Sequence, residues 1–184
     1  FLIKNTSKYK QVDIHDLNFS NDASATVILS KGTVPISKDF LQKIDLRANK
    51  QKIGFTNGCF DIIHKGHIHL LKKAKQSCDY LIVGLNSDKS VKSLKGDNRP
   101  INDQITRKTI LKSIKYVDEV IIFDEDTPIN LIKSINPNVL IKGADYSEDS
   151  IVGGSYVKQN GGEVIRVNLV RNCSSTGIIN SIKD

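Results

Sequence analysis

The chain has 184 residues, 39% of them hydrophobic and 26% charged, with a formal net charge of +7. That balance excludes wholesale disorder, and no apolar run nears the roughly 20 residues of a membrane-spanning helix. Three widely spaced cysteines with no Cys-x-x-Cys pair exclude a disulfide framework and a zinc ribbon, and predict a reducing, cytoplasmic setting.

Residues 1–48 fit no regular rhythm. Residues 22–29 read as either helix or strand, Gly32-Thr33-Val34-Pro35 breaks them, and residues 37–44 have room for one short helix. The segment is predicted to be an appendage, with a linker over residues 45–51. Phe1 opens the sequence and methionine is absent, which predicts a processed or trimmed piece of a longer product.

From Gln51 onward short apolar runs alternate with amphipathic stretches. Residues 52–56 predict a buried strand. Residues 66–77 predict a helix, with Leu70, Leu71, Ala74 and Cys78 at spacings of three and four. Residues 80–85 are a continuous apolar run, as in a strand covered on both faces. Residues 86–101 read as a basic loop, and residues 102–117 as a long helix with Ile105, Ile110, Leu111, Ile114 and Val117 on its apolar side. Strand 119–123, helix 128–135 with Pro128 in its first turn, strand 139–141, a weaker helix 155–159, strand 163–169 and a helix from Ser175 follow.

Five strands separated by helices predict an α/β fold over residues 49–184: a doubly wound, mainly parallel five-stranded sheet of Rossmann-like type. Ligands of such sheets bind beyond the carboxyl ends of the strands, near the switch point. The segments after the first strand, around Gly143 and before the last helix should therefore converge. The basic residues are mostly lysine, spread along the chain, and aromatics are only 6%. That pattern predicts a solvated surface with room for a small phosphorylated anion, and no nucleic-acid or membrane partner.

The sharpest local signal is Thr56-Asn57-Gly58-Cys59-Phe60-Asp61 followed by His64-Lys65-Gly66-His67, between a predicted strand and helix. His64 and His67 stand on one side of the helix start, where free N–H groups and the positive dipole end favour phosphate. Gly58 and Gly66 let backbone approach a ligand where a Cβ would obstruct. Together these form an anion cradle with two titratable donors. Metal ligation lacks a third ligand and the usual zinc spacing. His15 and His69 read as structural, with His69 solvated. Asp61 either faces a cation or caps the helix.

His64-Lys65-Gly66-His67 resembles the His-x-Gly-His signature of nucleotidyltransferases, and Gly58-Cys59-Phe60-Asp61 resembles the Gly-x-Phe-Asp preceding it in the cytidylyltransferase-like branch. The resemblance implies that both imidazoles contact nucleotide phosphates and stabilise the transition state. Ser174-Ser175-Thr176, by itself an ordinary helix cap with hydroxyls suited to phosphate oxygens, is similar to the element with which that family contacts the triphosphate. Lys95 and Arg99 can supply fixed positive charge to a developing pyrophosphate, and Arg107 lies farther on. Lys142-Gly143-Ala144-Asp145-Tyr146 follows a strand. There Gly143 permits close approach and Asp145 can accept from a sugar hydroxyl.

The run from Lys95 to Asn102, the stretch 116–128 and the 142–146 element narrow the match. Over residues 52–183 the chain resembles the adenylyltransferase domain of bifunctional heptose-phosphate kinase/adenylyltransferases. This implies transfer of AMP from ATP, with Mg²⁺, to heptose 1-phosphate, giving ADP-heptose and pyrophosphate. It implies catalytic roles for His64, His67, Lys95 and Arg99. Thr56, Asn57, Gly58, Cys59, Phe60, Asp61, Gly66, Lys142, Gly143, Asp145, Ser174, Ser175 and Thr176 would bind nucleotide, and no residue is expected as a metal ligand. Residues 25–37 are weakly similar to the end of a ribokinase-like domain, so the appendage is expected to be the remnant of a linked kinase. A homo-oligomer stays open. Leu169 stands where glycerol-phosphate cytidylyltransferases carry Arg, and Arg171 is out of register. Two alternatives remain: a cytidylyltransferase for a polyol or aminoalcohol phosphate, and a silent nucleotide-sensing or RNA-binding regulator.

Overall fold

The alternation of apolar runs and amphipathic stretches builds a parallel sheet wrapped by helices. A computed structural model describes residues 51–144, 147, 150–168, 170 and 173–183. The predicted appendage and Asp145, Tyr146, Leu169 and Arg171 lie outside the described residues. The strands are β1 (Ile53–Gly58), β2 (Tyr80–Asn86), β3 (Glu119–Phe123), β4 (Val139–Gly143) and β5 (Glu163–Val167). The helices are α1 (Lys65–Gln76), α2 (Asp88–Lys95), α3 (Gln104–Lys112), α4 (Ile129–Ile135), α5 (Gly154–Gln159) and α6 (Ser175–Lys183).

The sheet order is β3-β2-β1-β4-β5, and every neighbouring pair is parallel. The chain steps outward from β1 through β2 to β3, then crosses back to lay β4 against the other side of β1. That reversal puts the switch point between β1 and β4, where Phe55 pairs with Leu140. The unbroken apolar run of β2 follows from having a core on each face of the sheet. One core holds Leu71, Leu81, Val83, Leu85, Leu111 and Ile141. The other holds Phe55, Ile82, Phe123, Ile132 and Leu140. Each such side chain, fully removed from water, contributes about 1.5–3 kcal/mol of transfer free energy. Gly84 is required by this packing, since a Cβ there would lie 2.7 Å from the Phe55 ring.

Two predicted elements need correction. Residues 88–95 form α2 instead of a loop, capped by Ser87, whose hydroxyl accepts from the Ser90 N–H at 3.2 Å. Its only buried apolar side chain is Val91, and Leu94 is exposed, so no apolar period marks the helix in the sequence. The predicted helix over residues 102–117 ends at Lys112. Ile114 and Val117 still pack on the core from the turns that follow. Within α3 the buried face carries Arg107 and Leu111, while Ile105 is 62% exposed and Ile110 37%. The helix is turned so that Arg107, and not Ile105 or Ile110, points inward.

Candidate active site

Beyond the carboxyl ends of the strands the predicted segments come together. The Lys142 ammonium, at the end of β4, donates to the Asn57 carbonyl of β1 at 3.3 Å. The Ser175 hydroxyl, at the start of α6, donates to the Ile62 carbonyl at 2.9 Å. Arg99 pairs with Asp61 at 2.6 Å. Cys59 lies within the fields of Lys95, Arg107 and Arg99, which partly offset the rise that burial imposes on its thiol. The stretch after β1 is thus met by the end of β4, the start of α6 and the 95–107 region, while Asp145 is outside the described residues.

The start of α1 is left open. His64 is its N-cap residue in extended conformation, its side chain makes no capping bond, and the first turn holds no acid. Unpaired backbone N–H groups and the positive dipole end are therefore available to an anion. The His64 and His67 rings stack 3.9 Å apart with an interplanar angle of 18°, and the buried Phe60 ring tilts against His67 at 5.0 Å. Phe60 adopts φ 46°, a left-handed conformation disfavoured for a side chain of its size. Gly58 and Gly66 serve these neighbours. A Cβ at Gly58 would meet the Phe60 ring at 3.2 Å, and one at Gly66 the His64 ring at 3.0 Å and Cys173 Cβ at 3.3 Å. The site's own side chains already make a close approach at both glycines.

Burial, reinforced by the adjacent His64, lowers the His67 pKa to about 4. Burial also lowers His64. Both shifts favour the neutral form of the rings. Thr56 Oγ1, Asn57 Oδ1 and His64 Nδ1 are buried without a hydrogen-bond partner. Folded chains seldom leave such atoms unpaired, and all three lie at the end of β1 or the start of α1.

The region facing the pair from α2 and α3 is the reverse, fully engaged with itself. Asp61 is 1% exposed. Its carboxylate accepts from Arg99 Nε at 2.6 Å, from the Ile101 N–H at 2.8 Å and from the Asn102 N–H at 2.9 Å. The Asn102 amide returns a bond to the Asp61 carbonyl at 2.9 Å. Burial alone would raise this carboxyl, but the Asn102 and Ile101 N–H groups and Arg99 outweigh it and hold Asp61 below the ordinary carboxylate range. Asp61 neither caps α1, whose cap residue is His64, nor presents a free carboxylate to a cation, so both sequence expectations for it are corrected.

The remaining residues divide by exposure. Lys95 is exposed as the last residue of α2, and Arg99 keeps 12% side-chain exposure. Ser174 caps α6, its hydroxyl accepting from the Gly177 N–H at 3.0 Å, and Thr176 is exposed. His69 is half-buried, where the sequence predicted solvation. Among the described residues no group of three or more His, Cys, Asp or Glu is placed to hold a metal ion, and no helix is long and apolar enough to cross a membrane. Sequence reasoning gave no role to Asn102 or Asp88. The one available signal was Asn102-Asp103 ahead of an apolar run, since Asp103 caps α3 by accepting from the Ile105 and Thr106 N–H groups.

The profile of the cytidylyltransferase-like family matches residues 55–180. The chain is 51% identical over 148 residues to the bifunctional protein HldE of Hyphomonas neptunium, covering 80% of this chain and 30% of that protein. It is 53% identical over 148 residues to the bifunctional protein HldE of Campylobacter fetus subsp. fetus, covering 80% and 31%. The chain thus spans about 30% of the length of these curated relatives. Among solved structures, the lipopolysaccharide core biosynthesis protein of Thermoplasma volcanium superposes with a TM-score of 0.55 at 28% identity. That superposition covers 67% of this chain and 99% of the other.

Proposed function

Because the chain belongs to the cytidylyltransferase-like family and is a nucleotidyltransferase, we propose that it transfers AMP from ATP to heptose 1-phosphate, forming ADP-heptose and pyrophosphate. The observation that carries this reading is the open start of α1, where a stacked, neutral imidazole pair stands over unpaired N–H groups. The choice of sugar phosphate rests on relatives of about 50% identity that bear the name bifunctional protein HldE and on the Lys95–Asn102 and Lys142–Gly143 resemblances. It also rests on a structural neighbour assigned to lipopolysaccharide core biosynthesis. The word bifunctional, for proteins far longer than this chain, fits a second activity carried outside the matched segment.

In the proposed reaction a phosphate oxygen of the sugar 1-phosphate attacks the α-phosphorus of ATP. The bond from that phosphorus to the bridging oxygen breaks, and pyrophosphate leaves with the electron pair. No covalent enzyme intermediate is needed, so placement and charge stabilisation supply the catalysis. His64, His67 and the α1 N–H groups hold the reacting phosphates. Lys95 and Arg99 offset charge on the leaving pyrophosphate, and the start of α6 receives the distal phosphates. Mg²⁺ would enter as part of the nucleotide substrate, neutralising charge on the phosphates.

Pyrophosphate release measured with ATP or CTP against heptose 1-phosphate, other sugar 1-phosphates and glycerol 3-phosphate tests the proposal. ATP with heptose 1-phosphate is expected to give the highest kcat/KM. Comparable or faster release from CTP with glycerol 3-phosphate overturns it in favour of a cytidylyltransferase.

A further inference from the structure

Arg107 is the largest fully buried side chain among the described residues, at 0% exposure. A buried guanidinium is tolerated only where its charge and N–H groups are matched, and here all three nitrogens donate. Nε donates to the Asn102 carbonyl at 2.9 Å. Nη1 donates to the Cys59 carbonyl at 2.6 Å and the Asn86 carbonyl at 2.8 Å. Nη2 meets the Asp88 carboxylate at 2.8 Å. These four acceptors belong to three pieces of chain: the turn after β1, the junction of β2 with α2, and the approach to α3. Asn102 also bonds Asp61 through both its backbone and its side chain, and Asp61 in turn holds Arg99. Gln104 secures the same corner, its side-chain oxygen accepting from the Asp88 N–H at 3.0 Å.

We propose that Arg107 is a positioning residue, which sets the turn carrying Phe60 and Asp61 against the α2 and Arg99 side, so that the imidazole pair and the cations Lys95 and Arg99 address one phosphate chain. This inference rests on the transferase reading. The purely packing explanation fits less well: a hydrophobic side chain would fill the space, whereas a planar fork reaches four acceptors on three stretches of chain at once. Lysine keeps the charge but offers a single point donor and cannot span them. Because a misplacement of about 1 Å at reacting groups costs on the order of a hundredfold, loosening this hub should act on turnover more than on nucleotide binding.

Arg107→Lys and Asp88→Asn separate the possibilities, the latter altering a residue that is 36% exposed and can be changed without burying a new charge. Each variant is assayed for Tm, for kcat and the KM of ATP in pyrophosphate release, and for the alkylation rate of Cys59 by iodoacetamide, read by peptide mass with Cys78 as internal reference. Folded Arg107→Lys is expected to lose at least about tenfold in kcat with less than about threefold change in KM. Cys59 should alkylate several-fold faster while Cys78 is unchanged. Asp88→Asn should show the same split at about threefold, and it carries the test if Arg107→Lys does not fold. A folded variant with wild-type kcat and wild-type Cys59 reactivity, whatever its Tm, overturns the positioning role. Wild-type chain that releases no pyrophosphate overturns the transferase reading instead, while the Cys59 rates still report whether Arg107 places the turn.

Discussion

Two neighbouring regions of the site are built on opposite principles. Around Asp61 and Arg107 nearly every polar atom has a partner: Asp61 accepts from three residues, Arg107 donates to four, and Asp103 caps α3. At the start of α1 the helix has no side-chain cap, and His64, Thr56 and Asn57 each leave a buried atom unpaired. The closed region resembles the interior of any stable domain, where polar groups are buried only when matched. The open region bears the cost of those unpaired atoms, which a ligand or water would offset. A rigid frame beside an unfinished anion site is how preorganised electrostatics are obtained without reorganisation during reaction.

The comparison can be broken most severely from the closed side. Asp61→Asn should lower stability by about 3 kcal/mol, because it leaves Arg99 without its buried charge partner, and turnover should fall with it as the 99–102 segment is released. Urea unfolding and pyrophosphate release on the same preparation check this. A variant with wild-type midpoint and turnover would show that the frame is not needed.

The open side should show itself in pH. The folded-state pKa of His67 lies near 4, below its ordinary value of 6.5, so below 6.5 the unfolded chain binds more protons than the folded one. Stability from this group is therefore complete above about pH 6.5 and is lost as pH falls toward about 4. His64 acts in the same direction. Asp61 also loses stability on acidification, but below the ordinary carboxylate range, so the two windows separate. The urea midpoint followed from about pH 7.5 to about pH 4.5 should decline in the wild type and flatten in His67→Asn. An equal decline in both would assign the slope to other groups. Saturating ATP, by favouring the protonated rings, should bring the folded-state pKa back toward the ordinary value and so flatten the decline.

The smallest effect sharpens the boundary between the regions. His69 follows the pair by two residues on α1, yet among the described residues the pair's ring contacts join only Phe60, His64 and His67. His69→Ala should leave kcat and KM within about twofold of wild type. A tenfold loss would extend the site along the helix beyond its first turn.

How much of this was legible in the sequence follows the same division. The parallel sheet and the imidazole pair were visible because each leaves a local mark: a run such as Leu81-Ile82-Val83 for the strands, and His-x-Gly-His between strand and helix for the pair. The frame was not visible because its bonds join residues far apart, such as Arg107 with Cys59 and Asn102 with Asp61. A buried arginine also looks like a solvated one in a basic stretch. α2 was missed because a helix that buries Val91 as its only apolar side chain has no apolar period to detect. The glycines were visible as places of close approach, but that Phe60 and His64 lie beside Gly58 and Gly66 only the fold could show.

The central claim, that the open start of α1 binds the phosphates undergoing transfer, is tested most directly by the turnover of His67→Ala with ATP and heptose 1-phosphate, measured beside its thermal unfolding. The claim predicts a protein that still folds cooperatively, with kcat lowered by about a hundredfold through loss of a preorganised donor. A stably folded His67→Ala protein with near wild-type turnover would contradict it.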